Sequence, residues 1–110
     1  MRWLPGIALA FFMAATGAFA GPSRVVTMNL CVDQMAMMLA APGQLISISF
    51  VARDPRASAM AEEAQAYPVN HGLAEEIYLL KPDLVIAGAS SAPATMDMLR
   101  RLGVPVAEFG

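Results

Sequence analysis

The sequence has few of the residues that most often build catalytic, metal or nucleic-acid sites. It has one cysteine and one histidine in 110 residues. No disulfide can therefore form within the chain, and a metal or catalytic role for the histidine needs partners of other types. Only 7 lysines and arginines stand against 9 acidic residues, for a net charge of -2. This low positive charge excludes a basic surface for nucleic acid or for anionic lipid.

The first twenty residues have the pattern of a secretory signal peptide. Arg2 is the only charge before Arg24, and Leu4 to Ala15 is almost wholly apolar. Ala18-Phe19-Ala20 then supplies the small-x-small pattern that a signal peptidase reads. A transmembrane anchor is the alternative, but a spanning helix needs about 20 apolar residues and this run is shorter. We expect cleavage after Ala20 and a periplasmic location for residues 21–110.

The remaining residues, 21–110, are enough for one small domain. Loss of Arg2 changes the net charge from -2 to -3. Lipidation of Cys31 is not expected, because Leu30 precedes it and Gly21 to Asn29 separates it from the apolar run.

Short apolar runs alternate with helix-like stretches in this domain. The predicted strands are Val25–Met28, Leu45–Phe50, Tyr67–Val69, Leu84–Ala87 and Val104–Phe109, and the predicted helices are Cys31–Ala40, Asp54–Ala66, Leu73–Leu80 and one beginning at Pro93. Asn29 is predicted to cap the first helix. Leu84 to Ala87 has no alternation, which is typical of a strand buried on both faces of a parallel sheet. The pattern predicts an α/β fold, a three-layer sandwich with a mostly parallel sheet.

Two of the helices have a predicted buried face. These faces consist of Leu73, Ile77 and Leu80, and of Met96, Leu99 and Leu102.

Ligands of parallel sheets sit beyond the carboxyl ends of the strands, so the candidate loops are 29–33, 51–54, 70–72 and 88–92. Since an α/β unit usually continues after a strand, we expect this sequence to be the front part of a longer protein.

This order of elements resembles the amino-terminal lobe of the periplasmic binding proteins for iron-siderophores and cobalamin. The resemblance lies in Arg24–Leu30, Ala74–Gly88 and Leu99–Val106, and Lys-Pro-Asp at 81–83 is in its most specific part. It implies two α/β lobes joined by a long helix, with the ligand between them. It also implies delivery to an ABC permease in the inner membrane. The second lobe is absent from residues 24–110, so we expect weak binding by this chain alone.

Four residues in the strand-end loops are the candidates for contact with a metal-chelate ligand. They are Asn29, Arg53, His71 and Ser90. Arg53 either pairs with anionic oxygens of the ligand or remains in solvent beside Asp54. His71 is a ligand contact or an ordinary turn residue. Ser90 and Ser91 either donate to the ligand or cap the helix that begins at Pro93, and the cap is favoured. No resident cofactor or metal site is predicted.

The resemblance also implies a transporter contact at Glu75. In the family, a glutamate seven residues before the proline of Lys-Pro-Asp pairs with an arginine of the permease, and Glu75 has this position. Glu76 is its rival, both for this role and for local capping of the helix.

Cys31 and the methionines that follow it are candidate metal ligands. Cys31 near a helix start could be a nucleophile or a ligand, but a small buried filler is the favoured interpretation. Met35, Met37 and Met38 spread around a helix axis, which favours core packing.

Three functions therefore remain open: a solute receptor of an ABC importer, an exported enzyme using Cys31 and His71 as a thiol–imidazole pair, and a non-transport sensory domain. We expect the receptor and not an enzyme. The ligand is a ferric siderophore, cobalamin or haem, and the lack of tyrosine in the four loops counts against haem.

Overall fold

The computed structural model describes residues 21–110. Met1 to Ala20, to which the signal-peptide prediction applies, lies outside the described residues. Within 21–110, no helix has both the length and the apolar character needed to cross a membrane.

Strands and helices alternate along the described chain. The strands are β1 (Val25–Thr27), β2 (Leu45–Ser49), β3 (Val69–Asn70), β4 (Leu84–Gly88) and β5 (Val106–Phe109), and the α-helices are α1 (Leu30–Leu39), α2 (Ala74–Leu79) and α3 (Pro93–Arg101). All pairs of neighbouring strands are parallel, in the order β3-β2-β1-β4-β5. The predicted α/β fold with a parallel sheet is confirmed.

The sheet separates two apolar cores, as a three-layer sandwich requires. Successive residues of a strand point to opposite faces, so Val25 and Val26 enter different cores. Val25 packs on the α1 side, and Val26 packs on the side of α2 and α3 with Ile77 and Leu99. Val26 also pairs in register with Val85 of β4, which is fully buried. Burial on both faces explains why these strands are apolar without alternation.

The predicted helix over Asp54–Ala66 is wrong. This segment consists of turns that end in a short 3-10 helix at Glu63–Ala66, and another 3-10 helix, Phe50–Arg53, precedes it. The Asp54 carboxylate accepts a hydrogen bond from the backbone N–H of Arg56, two residues on, at 2.9 Å. Such a local bond offers the backbone an alternative to helical pairing, so Asp54 closes a turn instead of capping a helix.

The predicted helix faces are correct except at Leu73 and Leu102, and Leu80 is partly buried against the core. Ile77 and Leu99 are fully buried and Met96 nearly so, but Leu73 and Leu102 are 57% and 44% exposed. Leu73 precedes α2 in extended conformation and Leu102 follows α3, so the helical periodicity does not reach either residue. The turn predicted at 70–72 begins one residue later in the structure, because Asn70 belongs to β3 and is buried.

The predicted core packing of the methionines of α1 is correct only for Met37. Met37 packs against the apolar residues beneath α1, whereas Met35 and Met38 are 52% and 66% exposed. Their spacing of three residues places Met35 and Met38 on one side of the helix, and this side faces away from the core.

Candidate functional site

The strand order places a crevice between the ends of β1 and β4. The chain passes from β1 outward through β2 to β3, then returns to the other side of β1 to form β4. The connections that follow β1 and β4 therefore leave in opposite directions, which makes this the switch point where ligands of such sheets bind. Two of the predicted site residues, Asn29 and Ser90, lie here.

Asn29 joins the two sides of the crevice. Its Oδ1 accepts from the backbone N–H groups of Cys31 at 2.9 Å and Val32 at 3.4 Å, which confirms the predicted cap of α1. Its Nδ2 donates to the hydroxyl of Ser90 at 3.0 Å. A Cβ on Gly88 would lie 2.5 Å from this Nδ2, so only glycine at the end of β4 allows Asn29 this position.

The two serines after β4 do not cap α3, and that prediction is wrong. Ala92 holds the cap position, with no side-chain hydrogen bond. Instead the Ser91 hydroxyl accepts from the backbone N–H of Gly88 at 3.0 Å and so closes the loop on itself. Ser90 is exposed at the crevice, where its hydroxyl meets Asn29.

His71 forms a second polar site after β3. Its backbone N–H donates to Glu76 Oε2 at 2.8 Å, and its ring Nδ1 lies 3.0 Å from Glu76 Oε1. The ring stacks on Phe50, which follows β2, with a centroid distance of 5.2 Å. The His71 side chain is 59% exposed. A carboxylate at Nδ1 favours the tautomer with the proton there, which leaves the Nε2 lone pair available to a ligand.

Both carboxylate oxygens of Glu76 contact His71. Partial burial acts to raise the pKa of the Glu76 carboxyl, but the hydrogen bonds from the backbone and ring of His71 outweigh it, so the pKa lies below its usual value. Glu76 therefore stays ionised at neutral pH as the group that orients the imidazole. This pair and Phe50 are not among the residues predicted from the sequence, and the spacing of five residues between His71 and Glu76 is the signal that points to the pair.

Arg53 makes contacts within the lobe. Its guanidinium donates to the backbone carbonyls of Ala64, at 3.4 Å, and Tyr67. These bonds tie the end of β2 to the irregular connection that leads into β3. Asp54, the predicted alternative partner, pairs instead with Arg56 at 3.1 Å.

A buried polar network, which the sequence did not predict, lies beneath the strand ends. The fully buried carboxylate of Asp33 on α1 accepts from the Thr27 hydroxyl and from the backbone N–H and hydroxyl of Ser49. Burial raises the pKa of Asp33 above its usual value, although these hydrogen bonds act to lower it. Asn70 donates nearby to the Thr27 carbonyl at 3.0 Å. The network joins the ends of β1, β2 and β3, so it holds these strand ends together beneath the loops.

Cys31 is exposed, so its interpretation as a buried filler is wrong. The predicted thiol–imidazole pair joins Cys31 and His71. The contacts of the two residues are with other groups: the backbone N–H of Cys31 donates to Asn29, and the ring of His71 contacts Glu76 and Phe50. Among residues 21–110, no three histidine, cysteine or acidic side chains come together as a metal site.

Glu75 lies in the first turn of α2, shortly after the loop that contains His71. It is exposed, and its carboxylate makes no ion pair or hydrogen bond with the described residues. The neighbouring Glu76 is only partly exposed and holds His71. The two carboxylates therefore have different environments.

Solved structures of periplasmic binding proteins share this fold. The apo haem-binding protein RhuT from Roseiflexus matches 81% of this chain and 34% of its own, with 24% identity and a TM-score of 0.63. BhuT in complex with two haems matches 78% and 33%, with 25% identity and a TM-score of 0.61. A haem-binding protein from Pseudomonas aeruginosa matches 80% and 31%, with 20% identity and a TM-score of 0.63.

This chain has the fold of one lobe of a periplasmic binding protein. The predicted resemblance is thus confirmed for the fold, and the chain spans about a third of the length of the structures that it matches. The matched proteins are described as binding proteins, and none of the three as an enzyme. Neither a protein-family model nor a curated protein matches the sequence.

Proposed function

We propose that residues 21–110 are the amino-terminal lobe of a periplasmic solute receptor that delivers a metal chelate to an ABC permease. The ligand lies against the carboxyl edge of the sheet, and a second lobe provides the opposite wall. Haem is the chelate to test first. Three haem-binding structures with this fold support the choice, whereas nothing in the lobe favours a siderophore or cobalamin.

The observation that carries the proposal is the orientation of His71. An imidazole that is held by a carboxylate at one nitrogen and open at the other is suited to binding a metal. Histidine is a common axial ligand of haem iron, so His71 removes the objection that the loops contain no tyrosine. Phe50 beside it offers an apolar face to a porphyrin, and Asn29 and Ser90 offer polar groups to its oxygen substituents.

Titration of the exported chain with ferric protoporphyrin, followed by its main absorption band, tests this ligand. We expect a weak but saturable spectral change that is lost in His71→Ala. Arg56→Ala is the matched control, because Arg56 is exposed and pairs only with Asp54. If His71→Ala gives the same spectral change as the parent, His71 does not bind the iron. If the chain binds cyanocobalamin or ferrioxamine and does not respond to haem, the proposed receptor function stands and the proposed ligand is wrong.

One lobe encloses little of a large ligand, so calorimetry at micromolar protein should detect little heat. A tight, saturable signal from this chain alone would mean that no second wall is needed. Within a complete receptor, alanine at Asn29, His71 or Ser90 should weaken ligand binding. Arg53→Ala should act mainly through stability, because its guanidinium bonds are within the lobe.

The export step of the proposal concerns Ala18-Phe19-Ala20. Mass spectrometry of the exported protein should find Gly21 as its first residue. Material that begins at Met1 would contradict a cleaved signal peptide.

A further inference from the structure

The turn that contains His71 is held by side chains from three different elements. Asn70 of β3 accepts at its Oδ1 a hydrogen bond from the backbone N–H of Gly72 at 3.1 Å. Glu76 of α2 accepts from the backbone N–H of His71 at 2.8 Å. Thr95 of α3 donates its hydroxyl to the backbone carbonyl of Gly72 at 2.9 Å. The peptide groups on both sides of the His71 Cα therefore have side-chain partners.

Asn70 ties this turn to the sheet. Its Nδ2 donates to the Thr27 carbonyl at 3.0 Å, and to the Ile48 carbonyl and the Ser47 hydroxyl at 3.1 Å. The side chain is fully buried, so these bonds are made away from solvent. Its Oδ1 bonds to the backbone two residues on, which is an Asx turn, and Gly72 has the positive φ of 72° that suits glycine there. The ends of β1 and β2 thus set the position of the turn.

Thr95 ties the same turn to α3. This helix begins at Pro93, shortly after Ser90, so the Thr95 hydroxyl joins the His71 turn to the helix that follows the β1–β4 crevice. The bond connects segments 23 residues apart in the chain. Thr95 is only partly buried, and the buried residues of α3 are Met96 and Leu99. The hydroxyl is therefore not part of the apolar core, and its partner is the His71 turn.

We propose that Thr95 is a positioning residue that, together with Asn70, holds the His71 imidazole ready for its ligand. The ring meets Glu76 at Nδ1 and stacks on Phe50, and both contacts require that the backbone of the turn stays in place. An imidazole that binds a metal depends on neighbouring groups that fix its orientation and its tautomer. The ligand in this inference rests on the proposed function, whereas the orientation of the ring is measured without any ligand.

NMR of the exported chain tests the positioning role. His71 is the single histidine, so its ring signals are identified directly. At alkaline pH, where imidazoles are neutral, the ring nitrogen shifts report which nitrogen carries the proton. We expect the Nδ1–H tautomer to dominate in the parent and in Thr95→Ser, which keeps the hydroxyl. Thr95→Val removes the hydroxyl at nearly constant shape, and it should shift the ring towards the Nε2–H tautomer and weaken the shift that the Phe50 ring causes.

Ser58→Ala is the matched control. The Ser58 hydroxyl also bonds to one backbone group, the N–H of Met60 at 3.2 Å, but it lies in the turns of 54–66. Its removal should lower the melting temperature and leave the His71 signals as they are in the parent. If Thr95→Val also leaves the His71 signals unchanged, or if Ser58→Ala changes them equally, the inference is overturned.

Titration with ferric protoporphyrin separates this inference from the proposed function. We expect Thr95→Val to bind several-fold more weakly than the parent, and Thr95→Ser to bind like the parent. If the parent gives no spectral change with haem while Thr95→Val still alters the His71 tautomer, the proposed ligand is wrong and the positioning by Thr95 is supported. If Thr95→Val binds haem as the parent does and has the same tautomer, the positioning role is wrong and the proposed function stands.

Discussion

The carboxylate of Asp83 accepts a hydrogen bond from the backbone N–H of Arg24 at 2.8 Å. Its other oxygen accepts from the backbone N–H of Ser23, also at 2.8 Å. The Arg24 guanidinium donates in return to the carbonyl of Lys81 at 3.0 Å. Lys81 itself has a φ of 52°, the left-handed conformation that ends α2. The Lys-Pro-Asp segment, which lies in the most specific part of the family resemblance, therefore anchors the start of β1 beside β4.

Asp83→Ala should lower the melting temperature at neutral pH and reduce the sensitivity to acid. Hydrogen bonds from Ser23 and Arg24 hold the pKa of Asp83 below its ordinary value of 3.8. The folded chain therefore binds this proton less readily than the unfolded chain. The stabilisation by Asp83 is complete above pH 3.8 and is lost as the pH falls through the lowered pKa.

Thermal unfolding at pH 7 and at pH 2 to 3 measures both effects of Asp83→Ala. Asp54→Ala is the control, because the Asp54 carboxyl also has a lowered pKa but bonds only to Arg56 in its own turn. An Asp83→Ala variant that melts like the parent at pH 7 would contradict the anchoring role.

Asp33→Asn should be tolerated, whereas Asp33→Leu should destabilise the lobe by about 1–3 kcal/mol. The amide can accept from Thr27 and from the backbone N–H of Ser49, while its NH2 donates to the Ser49 hydroxyl. Leucine leaves the buried N–H of Ser49 without its acceptor. Chemical denaturation at neutral pH separates the two variants.

The pH dependence provides an independent readout for Asp33. Because burial raises its pKa in the folded state, the folded chain binds this proton more strongly than the unfolded chain. The parent should therefore lose stability as the pH rises from 3.8 through the raised pKa, and Asp33→Asn should lose less over that window. Parallel curves for the two proteins would show that Asp33 does not titrate differently on folding.

Gly88→Ala should damage the crevice more than a surface glycine substitution does. The new Cβ would overlap the Asn29 side chain, whose nearest atom is 2.5 Å away, and would displace it from both α1 and Ser90. Loss of the cap alone costs about 1 kcal/mol. Denaturant unfolding of Gly88→Ala, compared with Gly21→Ala, measures this cost, since Gly21 has open space around it. If both variants unfold alike, Asn29 can move without cost.

Arg53→Ala should lower the free energy of unfolding, because two carbonyls of the β2–β3 connection lose their donor. We expect a loss of about 1–3 kcal/mol by urea unfolding. Arg56→Ala should change the stability little, because Arg56 is exposed and forms a surface ion pair. A stable Arg53→Ala variant with impaired ligand binding would return Arg53 to the ligand site.

Glu75→Ala should leave ligand affinity unchanged in a complete receptor and reduce binding to the permease. Its exposed carboxylate has no partner in the lobe, and a pair with a permease arginine would guide docking more than strengthen it. Glu76→Ala should instead disturb His71 and the ligand. Transport and ligand-binding assays on both variants separate these roles. Loss of transport in Glu76→Ala alone, with full ligand affinity, would show that Glu76 is the docking residue.

Several features were predictable from short stretches of sequence. The apolar runs, the Pro at the start of α3 and the Asn29 cap each depend on neighbouring residues, so the helices, strands and fold class could be predicted. The predictions from sequence failed where a local sequence signal is compatible with two structures. Asp54-Pro55 can open a helix or close a turn, and the Asp54–Arg56 bond selects the turn.

The composition of the site depended on tertiary structure. Asn29 and Ser90 are 61 residues apart in the chain and meet only because β4 returns beside β1. The partners of His71, Arg53 and Asp33 could not be assigned from residue types, because loops of this kind allow many pairings. The sequence by itself determined the fold class and all of the α-helices and strands, though not the turns of 54–66, since helices and strands rest on backbone propensity and on the period of apolar residues. Only the tertiary structure decided which polar groups meet, because the strand order sets which loops are neighbours.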